Sequence, residues 1–472
     1  MMRQVLCVTA LGFLVSACQI TPENISADVE LPEAYQTGST LQFDETLNGE
    51  WWLGFEDPVL NQLVDQAQAD NLDVIEAVYL LAATYEQTQA LRSDLLPTID
   101  GFVNNQLGTL LTSGLDLTFT GSTGVGGTYN PDITGRLKNQ ISASDADFIA
   151  SQFGIANLRR QLTQSIALQY VELRRAGARL ALLESTLDLQ RRTLEIVESR
   201  YAAGLSPKLD VDRTSADLAR TEAQRSVFQA NRKRAEFALS ILTGQLPGEL
   251  AFGSAKSDEI PVFDAGPSIA LPADLVRRRP DIQAAEARLR AATIRISVEK
   301  ADLLPSIRIP GQLSTGFGDV SGRADELALS LTAIVDIPIF DAGRRQSEVD
   351  AQRARAQAAA SAYKASILSG LVEVESALAQ VEALQITLER QLTAVASSEA
   401  AYQQLDALYR EGLASFIDVL DAQRTLISSR ESILQTEASL AIAIIQLYAA
   451  LDVGCSDVDL AGCETEFDSA EL

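Results

Sequence analysis

The sequence predicts a mainly α, internally duplicated chain. Each half carries a pair of β-strands, one very long coiled-coil helix and a shorter returning helix. Three observations support this. First, one spacing links landmarks that lie far apart. Tyr201-Ala-Ala-Gly204-Leu205 returns as Tyr409-Arg-Glu-Gly412-Leu413 (409 − 201 = 208), Asp94-Leu-Leu-Pro97 as Asp302-Leu-Leu-Pro305, Gly135-Arg136 as Gly343-Arg344, and Asp73 as Asp281. A repeat of this kind governs every later assignment. Second, no proline occurs between Arg136 and Pro207, or after Pro338. Third, a 3.5-residue apolar period, which indicates coiled-coil packing, runs through both proline-free stretches.

Composition agrees. Of the 472 residues only 6% are aromatic and 14 are proline, while Ala, Leu, Gln, Arg and Glu abound, as in long packed helices. The formal net charge of −26 disfavours a nucleic-acid binder, which needs clustered positive charge. The chain has no histidine, which removes a Ser-His-Asp triad, a His-based zinc site and a histidine general base. No P-loop is present. No catalytic constellation, metal site or cofactor site is expected.

The N-terminus reads as a signal peptide over residues 1–17. Arg3 supplies positive charge and an apolar stretch runs from Val5 to Ala17. Small residues precede Cys18 in Val15-Ser16-Ala17-Cys18, which resembles a bacterial lipobox and implies an acylated, N-terminal Cys18. Gln19 follows it, where Asp would suggest inner-membrane retention. Ordinary cleavage after Ala17 is the competing reading. Residues 18–50 are polar and read as an extended strap. Cys455 and Cys463 sit in an acidic tail, 455–472, where they could pair as a disulfide in an oxidising periplasm or remain free thiols.

The first repeat is placed at 51–244. It begins with short helices over Trp51–Asn71 and Leu72–Leu96, the second ended by Pro97. Between 98 and 133, clustered glycines and the alternation Leu115-Asp-Leu-Thr-Phe-Thr indicate two strands and a turn. A helix over 137–203, of about 66 residues, would be roughly 100 Å long. Its heptad positions are Leu173, Leu180, Leu187, Leu194 and Tyr201, read as core. Residues 245–270, with three prolines, form a linker. The second repeat, 271–454, has strands at 306–338 and a long helix at 345–411, with heptad positions Val381, Leu388, Val395, Tyr402 and Tyr409. Each long helix stops at a glycine suited to a left-handed helix end, Gly204 or Gly412, and returns with Asp210 or Asp418 in its first turn.

No segment of the mature chain has 18 or more uninterrupted apolar residues, so no spanning helix is expected. Any membrane crossing would have to be a barrel. Four strands per chain cannot close one, since bacterial barrels start at about eight. Either the strands lie outside a membrane or several chains share one barrel. A trimer would supply 3 × 4 = 12 strands and 12 long or medium helices, enough for a hollow cylinder.

Here the chain resembles the TolC-like outer-membrane efflux channels, and more closely their lipoprotein branch of NodT type, associated with resistance-nodulation-division (RND) pumps. The residues that carry the resemblance are the lipobox at Cys18, Leu271-Pro-Ala-Asp-Leu-Val-Arg-Arg-Arg-Pro280-Asp-Ile, Ala301-Asp-Leu-Leu-Pro305-Ser, Phe340-Asp-Ala-Gly343-Arg344 and the two Tyr-x-x-Gly-Leu turns. One departure is Pro131-Asp-Ile-Thr-Gly135-Arg136, where the family often has a Leu-Phe pair. The resemblance implies a homotrimer forming a 12-stranded β-barrel continuous with a 12-helix periplasmic tunnel. It further implies a passive exit duct in the outer membrane of a Gram-negative bacterium, supplied by an inner-membrane RND pump through a periplasmic adaptor (membrane fusion) protein.

Two groups of residues stand out. Asp418 and Asp421 lie three apart on the last helix and share a face. Arg213 occupies the position of Asp421 in the first copy. The resemblance implies a periplasmic gate of paired aspartates that favours cations, and a solvated helix start is the plainer reading. Gly204, Leu205 and Ser206, with Gly412, Leu413 and Ala414, form the hairpin ends, which the resemblance implies are adaptor-docking turns. Arg277, Arg278 and Arg279 read as a solvated or ion-paired helix start. Other readings of the whole chain are an exit duct for a type I protein secretion system and a periplasmic coiled-coil lipoprotein that never forms a pore. The strand regions separate that last reading from a channel. No His or Met cluster in the sequence points to metal as cargo.

Overall fold

The computed structural model describes residues 50–110, 116–250, 259–263, 279–318 and 327–451, with Ile20, Glu23, Ile25, Ala27, 29–32 and Tyr35 before them. Cys18, Cys455, Cys463, Arg277, Arg278 and the acidic tail lie outside the described residues.

A 3-10 turn, Trp51–Phe55, precedes α1 (Pro58–Asp70) and α2 (Leu72–Ser93). Then come β1 (Thr98–Leu110), β2 (Asp116–Tyr129), α3 (Arg136–Ala202) and α4 (Lys208–Leu242). The second half follows with α5 (Pro280–Ala301), β3 (Ser306–Gly318), β4 (Leu327–Leu331), β5 (Ile334–Asp336), α6 (Arg344–Arg410) and α7 (Phe416–Leu451). The 208-residue offset holds at the level of element boundaries: 280 − 72, 306 − 98, 344 − 136 and 416 − 208 each give 208. Both long helices have 67 residues.

The chain clusters into two compact units. One comprises Met1–Val29, Val78–Phe153 and Asp281–Ser366; the other comprises Glu30–Ala77, Gly154–Pro280 and Ile367–Leu472.

The first unit holds an antiparallel sheet in the order β1-β2-β3-β4, with β5 also on β3. Directly opposed residues share a face, and faces alternate along each strand. One face carries Ile99, Val103 and Leu107, opposite Gly127, Thr123 and Phe119. The registers continue it through Val125, Leu313 and Leu329, and through Phe317 opposite Gly121. Ile307 and Val335 extend it at the helix end of the sheet. The other face carries Asp100, Asn104, Gln106, Ser122, Thr128, Arg308, Gln312, Ser314, Ser330 and Asp336. Within one chain neither face is covered: Ile99, Val103 and Leu329 on one face and Asp100, Asn104, Gln312 and Ser330 on the other are all exposed.

The expected second strand of the second half is broken into β4 and β5. Both follow one register on β3, since 311 + 331 and 306 + 336 both give 642. The gap at Thr332 faces Pro310. Thr332 donates its N–H to the Pro310 carbonyl (3.0 Å), but proline has no N–H to return. In the first half Phe102 holds this place and its partner strand β2 runs unbroken.

The second unit contains the main core, in which Trp51, Phe55, Leu60, Val64, Ile166, Tyr170, Leu239, Ile445 and Tyr448 pack together. The expected helix over 51–71 is instead a 3-10 turn followed by α1. Asp57 caps α1, accepting from the Val59 N–H (2.9 Å), and Pro58 sits at the first helical position, where a missing N–H costs nothing. Tyr170 donates to the same carboxylate, and Arg174 pairs with it at 3.0 Å. Burial, then Asp57, pushes the Tyr170 phenol far up, so it stays a donor. α7 has a window long and apolar enough to cross a membrane, but its apolar end, Ala441 to Leu451, is largely buried in the cores of this unit.

The heptad positions are buried only in part in both halves. On α3, Leu173 and Leu187 are buried while Leu180 and Leu194 are half-buried. On α6, Val381 and Tyr409 are buried while Leu388, Val395 and Tyr402 are half-buried. Tyr201, read as core, is 47% exposed, because it falls on the last turn beside the Gly204 reversal.

Candidate functional site

The two reversals share one geometry. Gly204 has φ +73° and Gly412 has φ +81°, a left-handed conformation that glycine adopts without steric cost. Leu205 N–H reaches back to the Arg200 carbonyl (2.8 Å) and Gly204 N–H to Tyr201 (2.9 Å). Leu413 N–H likewise reaches Leu408 (2.8 Å) and Gly412 N–H reaches Tyr409 (3.0 Å). This pair of bonds is the Schellman ending, which satisfies the last helix carbonyls. Leu205 and Leu413 stand 66% and 72% exposed. Nothing lies within 4 Å of a side chain imagined at Gly204, and only the tip of Arg200 lies near one at Gly412.

The returning helices start differently. Ser415 donates to Asp418 (2.6 Å) and accepts from the Asp418 N–H (3.3 Å), so its hydroxyl caps the start of the helix. In the first half Ser206, one position earlier by the 208 offset, donates to Asp210 (2.9 Å). Asp418 and Asp421 are both exposed, on the side of α7 away from buried Val419 and Leu420. The Asp418 carboxylate therefore holds the hydroxyl of the capping Ser415. The carboxylate of Asp421, replaced by Arg213 in the first copy, has no partner among the described contacts.

One residue not singled out in the sequence joins the two tips. Arg200, in the last turn of α3, donates to the Tyr409 carbonyl (3.0 Å) and the Arg410 carbonyl (3.4 Å). Its guanidinium lies 4.6 Å from the Tyr409 ring centre. A cation at carbonyls near a helix C-terminus is favourable, and the stacking on Tyr409 adds to it. Tyr409 packs with Val197, Phe416, Val419 and Leu420. A cation in the last turn was the available signal, but sequence shows only its own helix, not the helix it caps. Further along, Arg424 of α7 pairs with Asp217 of α4 at 2.7 Å.

Arg279 is not solvated as one reading had it. It is 1% exposed, donates to the Ala450 carbonyl (2.9 Å) and pairs with Glu373 (3.0 Å). Among the described residues no cluster of acids or cysteines could hold a metal ion.

The sequence model of the outer membrane efflux protein family matches residues 63–245 and again 271–452. The chain belongs to that family. Nodulation protein T of Rhizobium leguminosarum bv. trifolii is 28% identical over 454 residues, covering 94% of this chain and 95% of that protein. Cation efflux system protein CusC of Escherichia coli K12 is 27% identical over 449 residues, covering 93% and 97%. The solved outer-membrane channel OprN superposes with a TM-score of 0.84 at 29% identity, covering 92% of this chain and 99% of that one. The mostly helical chain with its small sheet thus has the fold of the outer-membrane efflux channels, and it is an outer-membrane efflux protein.

Proposed function

We propose that three copies of this chain pool their sheets into one 12-stranded outer-membrane barrel continuous with a 12-helix periplasmic tunnel. The duct is passive and carries small molecules delivered by an inner-membrane RND pump through a periplasmic adaptor. The observation that carries this is the sorting of the sheet's two faces. An apolar face against a polar one is what strands between lipid and a water-filled lumen need. The edges of β1 and β4 have no further partner among the described strands, and an open edge in lipid leaves backbone groups unpaired at several kcal/mol each. Further copies of the same sheet supply the missing partners. A periplasmic rod without a pore would need no such sheet.

The repeats are assigned as 51–244 and 271–454, joined by the linker 245–270. The turns at Gly204-Leu205-Ser206 and Gly412-Leu413-Ala414 are the adaptor-docking tips. Their support is the exposed, uncrowded backbone at both glycines. Asp418 and Asp421 are the periplasmic gate, six carboxylates per trimer, and Asp421 is the member whose carboxylate has no partner among the described contacts. Acylated Cys18 anchors the strap in the outer membrane. Purified protein should run as heat-modifiable trimers and give stepwise conductance in planar bilayers. A monomer that leaves bilayers intact would end this reading.

A further inference from the structure

The 208-residue offset makes α3 the equivalent of α6, and α4 the equivalent of α7. In the second unit α3 pairs with α4 (Glu184 to Arg225, 2.7 Å), and α6 repeats this with α7 (Glu399 to Arg430, 3.1 Å). α3 also pairs with α7. Arg160 donates to the Ala449 carbonyl (2.6 Å), Arg175 to Gln435 (2.9 Å) and Gln423 to Thr193 (3.2 Å). The equivalent of that pairing is α6 with α4. Among the described contacts, none joins those two helices beyond the tip cluster that holds Val211 and Tyr409. Yet each carries exposed apolar residues on one heptad stripe, Val227 and Ile241 on α4 and Val372 and Ile386 on α6, where 241 − 227 and 386 − 372 both give 14. A 3.5-residue period is that of a coiled-coil seam, and exposed apolar patches mark contact sites.

We infer that α4 and α6 carry the two sides of a self-recognition seam. The α6 stripe of one copy packs against the α4 stripe of the next, antiparallel, as α3 packs on α7 within the chain. The inference rests on the trimer reading above, and it adds the residues by which copies choose each other and their register. The three α3–α7 contacts set that register: 160 + 449, 175 + 435 and 193 + 423 give 609, 610 and 616. Moving α3 up by 208 and α7 down by 208 leaves these totals unchanged. Residues of α6 and α4 on neighbouring copies should therefore meet where their numbers add to between 609 and 616.

The sequence fits this register. The contact of Arg160 with Ala449 maps onto Leu368 and Ile241, both exposed. Ile386 falls opposite Val227 (386 + 227 = 613) and Val372 opposite Ile241 (372 + 241 = 613). Glu382 falls opposite Arg234 (382 + 234 = 616) and Glu389 opposite Arg220 (389 + 220 = 609). A register taken from other residues thus brings apolar onto apolar and anion onto cation. Arg234, Glu382 and Glu389 have no partner among the described contacts. Ion pairs at an exposed seam add little affinity. Their part is to fix the register and to reject like-charged pairings.

The test uses full-length protein purified as trimers from outer-membrane fractions. Arg234→Glu and Glu382→Arg each set like charges opposite one another, and each should speed heat dissociation of the trimer about tenfold. The double variant, which reverses the pair, should return to within about twofold of wild type. Separately, Val227→Cys with Ile386→Cys should give covalent dimers and trimers on oxidation, which neither single variant gives. Trimers that ignore both single reversals, a double variant no slower to dissociate than the singles, or oxidation that leaves only monomers would overturn the seam. A wild-type protein that is monomeric in the membrane would instead overturn the trimer itself, and the seam with it.

Discussion

The two halves share the starts of their helices and first strands to the residue yet solve the same local problems with different side chains. At the start of the short helix, Asn71 and Arg279 are equivalent (279 − 71 = 208), and so are their targets, the carbonyls of Leu242 and Ala450. Asn71 donates to Leu242 at 2.9 Å and Arg279 to Ala450 at 2.9 Å. Each ties the short helix to the end of the returning one. The larger Arg279 needs room, and Gly370 supplies it. A Cβ there would come within 3.3 Å of the guanidinium. The first half, with the smaller Asn71, has buried Leu162 at that place. A duplicated fold thus keeps its backbone ties and varies the pair of side chains that makes each one.

The largest effect should come at the tips. A bulky residue at Gly412, for example Gly412→Trp, adds about 1–2 kcal/mol of left-handed strain and covers the exposed turn. Efflux, read as drug resistance, should fall to the level of a deletion while trimers persist. Gly204→Trp asks whether the halves are equivalent here. Normal resistance from both would remove the docking assignment.

The swap at 370 comes next. Gly370→Leu should cost about 3 kcal/mol by overpacking and by displacing a buried cation from Glu373. Gly370→Leu with Arg279→Asn, which copies the first half, should recover at least half of the lost thermal stability. A double variant no better than the single would show that the halves are not interchangeable.

Asp421→Ala should raise single-channel conductance and weaken cation block with little change in stability. Asp418→Ala should add the loss of its hydrogen bond from Ser415, about 1 kcal/mol. Equal behaviour of both in stability and conductance would contradict the division of roles. The smallest effect is expected for Pro310→Val, which returns an N–H to the ladder and should stabilise the sheet by about 1 kcal/mol, making β4 and β5 one strand as in the first half.

The skeleton was legible because its signals are local. Missing prolines, heptads and the glycine reversals each declare an element, and they bound both long helices to within one residue, 137–203 and 345–411 against Arg136–Ala202 and Arg344–Arg410. Proline at 310 was also visible, but its effect on the neighbouring strand needed the register. What sequence hid depends on pairs far apart in the chain. Arg200 caps another helix's end, Arg279 reaches Ala450 through the space left by Gly370, and Glu23 bridges two helices of the second half. The paired aspartates were legible as types and spacing. Only the Ser415 contact showed that one of the two already has a structural task.

The central claim, that the sheet separates lipid from lumen, is best tested by fluorescence quenching at two adjacent positions. Leu313→Trp and Gln312→Trp place an indole on opposite faces of β3, against a background of only two native tryptophans, Trp51 and Trp52, both buried. In trimers reconstituted with brominated lipid, the indole at 313 should be strongly quenched and that at 312 should be quenched instead by aqueous iodide. Equal quenching of the two by either agent would contradict the barrel.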